Sequence, residues 1–132
     1  MPAIDKLVRL WVEKAEHDLG TATLTHSHIP AYKDTICFHC QQAIEKYLKA
    51  YLVFLGTEFR PVHDLIYLLD LASSSDRFSS EFYEMATKVD GFAVQIRYPD
   101  TVIEPSDEEV NSAIEYAKKF REAIVEKIQL SA

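Results

Sequence analysis

Residues 31–55, AYKDTICFHCQQAIEKYLKAYLVFL, decide the fold of this chain. The stretch holds no Gly or Pro, Pro30 stands just before it, and strong helix formers fill it. At about 100° per residue, Ile36, Cys40, Ala43, Ile44, Tyr47, Tyr51 and Phe54 fall on one side of a helix. Cys37, Leu48 and Leu55 widen that stripe to nearly half the circumference, and Gln41, Gln42, Glu45, Lys46, Lys49 and His39 take the other half. So wide an apolar face needs more than one neighbour to cover it. The stretch therefore reads as the central helix of a bundle.

The totals agree with one soluble domain over residues 1–132, large enough to bury roughly two thirds of its unfolded surface. Hydrophobic residues make up 48% and charged ones 27%; the net charge is −7, with pI near 5.2. An acidic balance argues against a broad nucleic-acid-coating surface but leaves room for a small basic pocket. The apolar run Ala50–Leu55 is too short to span a bilayer. The opening MPAIDKLVRL lacks the uninterrupted apolar core of a secretory signal. With only two cysteines, the expected location is a reducing cytoplasm.

Four more helices are expected around the first. Ile4, Leu7, Val8, Trp11, Ala15, Leu19 and Ala22 recur at helical spacing, predicting a helix from Ile4 to Ala22. Thr25–Pro30, THSHIP, reads as a connection, and its two histidines, lacking further ligands, as solvated loop residues. Gly56 suits the end of the central helix. A third helix begins near His63 or Asp64, carries Leu65, Leu68, Leu69 and Ala72, and ends in Ser73–Asp76. A fourth starts at Ser79 or Ser80, with Glu81 favourable in its first turn, and stops near Arg97 ahead of Pro99. Ser106 and Glu109 form a capping box for the fifth, whose Glu115 and Lys119 can pair on the solvent side. The fold class is all-α.

Three places could carry chemistry. Asp18 projects onto the apolar stripe of the first helix, where a carboxylate needs a cation or several N–H donors. It is either a stripe-edge acid that reaches water or a structural salt bridge, or an acid that orients a basic residue of a neighbouring helix. On the central helix, Gln42, Glu45, Lys46 and Lys49 lie within two turns, either as a solvated ion-paired face or as a binding face. At the end of the fourth helix, Gln95–Asp100 reads QIRYPD. Arg97 there is suited to hold a phosphate bidentately and Tyr98 to stack on a base, unless Arg97 pairs with an acid such as Asp18 or Glu45. Cys37 and Cys40 form C-x-x-C inside a helix, without the strand and helix N-terminus a redox pair uses, and read as small core residues. No phosphate-binding Gly-rich loop is present.

W-x-x-x-A-x-x-D (Trp11, Ala15, Asp18), F-H-C-Q-Q-A-I-E-K-Y-L-K-A (Phe38–Ala50), H-D-L-x-x-L-L (His63–Leu69) and R-Y-P-D (Arg97–Asp100), taken together, resemble the HEPN domain, the nucleotide-binding family of higher eukaryotes and prokaryotes. The resemblance covers nearly the whole chain in order, and its most specific part is the central-helix motif. It implies a helical bundle that dimerises and, in many prokaryotic members, a partner carrying a minimal nucleotidyltransferase domain in a toxin–antitoxin-like pair. Several branches are metal-independent ribonucleases marked by an Arg and a His with four to six residues between them. Here Arg97 would be that Arg, but Val102, Ile103 and Glu104 occupy the window, and no other Arg has a His at that separation. Cleavage then lacks the imidazole that handles the 2′-hydroxyl proton. The reading is thus a nucleotide- or RNA-phosphate-binding homodimer without metal or cofactor. Arg97, Tyr98, Lys46 and Lys49 contact the ligand, with Asp18, Glu45 and Gln42 in support. A divergent ribonuclease using His63 or His39, or a purely structural interaction domain, is the alternative.

Overall fold

The structure, a computed structural model, describes residues 5–94 and 104–131. Five helices follow one another: α1 (Lys6–His28), α2 (Lys33–Leu55), α3 (Leu65–Ser73), α4 (Ser80–Val94) and α5 (Asp107–Ser131). No strand occurs among the described residues. α1 and α2 form a long hairpin, and α2 also packs against α3, α4 and α5, so the expected central helix is central.

The helix ends follow local chemistry. Asp5 caps α1, its side chain accepting from the Leu7 N–H. Asp64 caps α3 through the Tyr67 N–H. The capping box at α5 closes in both directions: Ser106 N–H donates to Glu109 at 2.8 Å and Glu109 N–H to Ser106 Oγ at 3.1 Å. Gly56 ends α2 at φ 72°, a left-handed conformation that a Cβ disfavours.

Two expectations about helices are corrected. The first helix continues past Ala22 to His28, so Thr25–His28 is helical rather than a connection. Thr, Ser and His weaken a helix by only tenths of a kcal/mol each, and Leu19 and Ala22 anchor the preceding turn in the core. The stop comes at Ile29, whose N–H still reaches the Thr25 carbonyl, just before Pro30. On α5, Lys119 bonds Glu81 of α4 instead of pairing with Glu115, because α4 lies within reach of its ammonium.

One core joins all five helices. It centres on Ile36, Ile44, Tyr47, Leu48 and Leu52 of α2, with Leu68 and Leu69 of α3 and Phe120 and Ile124 of α5. An aromatic chain crosses it: Tyr51 meets Phe78 edge-on, Phe78 meets Phe82, and Phe82 meets Phe120.

The largest departure concerns the polar half of α2. Gln41, Glu45 and Lys49, expected to share a half with solvent-facing residues, are buried. α1 lies along one flank of that half, and His63, ahead of α3, reaches the other. Charged groups enclosed in this way must be paired, and the site below shows how.

Candidate functional site

The polar half of α2 divides into two charge clusters. The outer one is built on Asp18 of α1, whose side chain is 12% exposed. Its Oδ1 accepts from His39 Nδ1 at 2.8 Å and its Oδ2 from Lys46 Nζ at 2.5 Å. His39 and Lys46 lie seven residues apart, two helical turns, and so share the edge of α2 that faces α1. An ionised carboxylate only accepts, so His39 carries its proton on Nδ1; Nε2 makes no hydrogen bond among the described residues. Asp18 therefore does hold basic groups of a neighbouring helix, and both stay about a quarter exposed.

The inner cluster is built on Glu45, which is 2% exposed. Lys49 Nζ donates to its Oε2 at 3.1 Å, and His63 Nδ1 lies 2.9 Å and 3.0 Å from its two oxygens. The Lys49 ammonium also sits over the rings of Trp11 and Phe59, 5.4 Å and 6.0 Å from their centroids. This lysine is enclosed, its charge met by Glu45 and the aromatic faces. His63 is the open side of the cluster. Gln42 donates to Gln41 at 2.9 Å and lies between Phe38 and Lys46 on the helix surface.

The structure thus brings together Asp18, His39 and Lys46, with Gln42 beside them on α2, and, one layer deeper, Glu45 and Lys49, which His63 meets from the exposed side. Arg97 and Tyr98 lie outside the described residues. Lys49 was expected at the ligand but is turned inward. His39, assigned no binding role in the sequence beyond an alternative, shares the carboxylate with Lys46. The signal for it was present: Asp18 on an apolar stripe demands donors, and the polar edge of α2 supplies two.

A third polar contact escaped sequence reasoning. Arg121 of α5 donates from Nε to both oxygens of Glu16 on α1, at 2.8 Å and 3.1 Å, and this pairing raises the Arg121 pKa. The buried Tyr47 hydroxyl sits against that pair without meeting hydrogen-bond geometry to either partner, and burial pushes its pKa up. A Tyr on an apolar stripe was the available sign that polar groups lay near.

Both cysteines are free of disulfide bonds and buried. Burial, reinforced by Glu109 and Asp34, pushes the Cys37 thiol up to about 12, and burial likewise raises Cys40. At neutral pH both are protonated core residues. Among the described residues, no three His, Cys, Asp or Glu side chains gather as metal ligands.

Clefts also lie elsewhere on the described residues. An apolar groove of about 340 Å³ between α1 and α5 is lined by Val8, Val12, Val125 and Ile128. A polar cleft of about 570 Å³ lies at the α3–α4 junction beside Arg77 and Tyr83. The Asp18 cluster is a surface edge, suited to a charged or flat ligand rather than an enclosed one.

Five helices in this order, with no strand among the described residues, define a small all-α bundle. The HEPN domain model matches residues 8–128, and the chain belongs to the HEPN domain family. Two solved structures share its fold. The archaeal HEPN homologue ST0689 is 28% identical with a TM-score of 0.74, and the match covers 92% of this chain and 97% of that one. The protein TT1696 from Thermus thermophilus is 26% identical with a TM-score of 0.72, over the same shares. No curated protein matches the chain. No helix among the described residues is long and apolar enough to cross a membrane.

Proposed function

We propose that this HEPN protein binds nucleotide or RNA phosphate at the polar edge between α1 and α2. The observation that carries the reading is one shielded carboxylate, Asp18, holding His39 and Lys46 at a partly exposed edge. A Lys ammonium has three donors; one goes to Asp18, leaving two for a phosphate oxygen. Arg97 and Tyr98, which lie outside the described residues, belong to the same reading through their own chemistry, a guanidinium for phosphate and a ring for a base. Glu45 and Lys49 act from inside, fixing α2 against Trp11 and Phe59.

The protein then works in the cytoplasm as a homodimer beside a nucleotidyltransferase-domain partner, in a toxin–antitoxin-like pair. The support for the partner and the dimer is family membership. The test is calorimetric titration of ATP, GTP and a short RNA into the parent, Lys46→Ala and Arg97→Ala proteins. Binding that weakens at least fivefold in either variant, with the fold intact, is expected. Parent affinity in both variants refutes the assignment, and a parent that binds nothing leaves a partner-binding structural domain.

RNA cleavage is a second reading, favoured by one observation: Asp18 orients His39 through Nδ1, which leaves Nε2 able to take a proton. On that reading His39→Gln abolishes cleavage of a labelled RNA while the protein still binds it. Cleavage that persists in the variant removes His39 from the role.

A further inference from the structure

We propose that Phe38 is a stacking surface for a nucleobase, so that the α1–α2 edge takes a nucleotide with an unpaired base rather than phosphate alone. The proposal rests on the phosphate-binding reading above and specifies its ligand. Six large hydrophobic side chains are exposed among the described residues, and Phe38, at 46%, is the one that adjoins the Asp18 cluster. Nothing in the fold requires an aromatic ring there, because the core-facing positions of that turn are Ile36, Cys37 and Cys40.

The ring has one aromatic neighbour. It meets the His39 ring edge-on, with centroids 5.4 Å apart and planes at 77°. His39 is itself tied to Asp18, so a carboxylate of α1 sets the orientation of an aromatic pair on α2.

Spacing joins this surface to the charged groups. Phe38, Gln42 and Lys46 follow one another at four-residue steps and form a row along the helix. Helical side chains lean toward the N-terminus, so the Lys46 ammonium reaches back toward Phe38, where Asp18 holds it beside His39. Phe38 thus neighbours His39, and His39 and Lys46 meet on Asp18, an order along the edge that suits a base at one end and a phosphate at the other. Asp18 would repel a phosphate if bare; here each of its oxygens already accepts a hydrogen bond from a basic group. Stacking is indifferent to base identity, which makes single-stranded RNA and free nucleotides the fitting class.

The experiment titrates ATP, a six-nucleotide single-stranded RNA and inorganic tripolyphosphate into full-length parent, Phe38→Ala and Phe38→Trp proteins. Phe38→Ala should weaken ATP and RNA roughly tenfold and leave tripolyphosphate binding unchanged, while Phe38→Trp should keep nucleotide affinity. Nucleotide affinity unaltered in Phe38→Ala overturns the proposal while the phosphate reading survives. So does an equal loss of tripolyphosphate binding, or a fall in mass by light scattering with nucleotide affinity unchanged, which would make Phe38 a contact between copies of the chain. If the parent binds none of the three probes, the phosphate reading fails and this proposal fails with it.

Discussion

Glu45 and Lys49 neutralise each other where water hardly reaches, and removing one partner strands the other. Glu45→Ala should destabilise the protein by about 3–5 kcal/mol in urea unfolding, since an unpaired buried ammonium is left behind. The double variant Glu45→Leu/Lys49→Met should recover most of that loss, because a buried ion pair exchanged for apolar side chains is often neutral. A double variant as unstable as Glu45→Ala would mean that the pair contributes more than mutual neutralisation. His63 is exposed, so His63→Ala should cost no more than about 1 kcal/mol in the same assay. The cysteines provide a pH-dependent counterpart. Cys37 has a folded pKa near 12 against an ordinary value of 9.0, so the unfolded chain loses its proton first as pH rises. The Cys37 contribution to stability is full below pH 9 and is lost progressively up to pH 12, a decline that urea midpoints at pH 8 and pH 10.5 should show. Native protein at pH 8 should also resist a thiol reagent that labels both cysteines once the chain is unfolded.

At the scale of the helices, the caps carry separate and measurable contributions. Ser106→Ala removes one arm of the α5 capping box and should lower stability by about 1 kcal/mol. Gly56→Ala should cost about 1–2 kcal/mol although no atom lies within 4 Å of the added Cβ, because the backbone sits at φ 72°. Thermal melts of the two single variants and the double variant test this, and the effects should add, the sites being independent. These two caps were legible as sequence patterns, S-x-x-E and a Gly after an apolar run, whereas the capping roles of Asp5 and Asp64 were not read. The extension of α1 was not, because Thr, Ser and His resemble turn residues and only contact with neighbouring elements decides whether a helix continues through them. The burial of Gln41, Glu45 and Lys49 was hidden for a related reason. Periodicity places residues around one helix but does not say that α1 and His63 close over the polar side as well.

For the whole molecule, the all-α class and the centrality of residues 33–55 followed from one wide apolar stripe, which a single neighbour could not cover. Part of the candidate site was equally legible. Asp18 on an apolar stripe announced a basic partner, and Lys46 was named on the opposite helix. The inward turn of Lys49 was not, since a lysine in sequence reads alike whether its ammonium meets water or the face of Trp11. The net charge of −7 argues against a broad anion-binding surface and leaves room for a small one. RNA binding should therefore depend weakly on salt, with log affinity falling about 0.7 per phosphate contact for each tenfold rise in salt. Lys46→Ala should reduce that slope by about one contact, read from titrations at several salt concentrations; an unchanged slope would place the phosphate elsewhere.

The hairpin of α1 and α2 has a consequence in time as well as in space. Its interface is the most extensive in the bundle, and it joins helices adjacent in sequence across residues 29–32. Such contacts close short loops, so they can form before those of α5, which must return from the far end of the chain. The hairpin is the natural folding nucleus: Ala15→Gly should slow refolding, whereas Ile124→Val should mainly hasten unfolding. The polar edge between those two helices would then be assembled while the rest of the bundle was still finding its place.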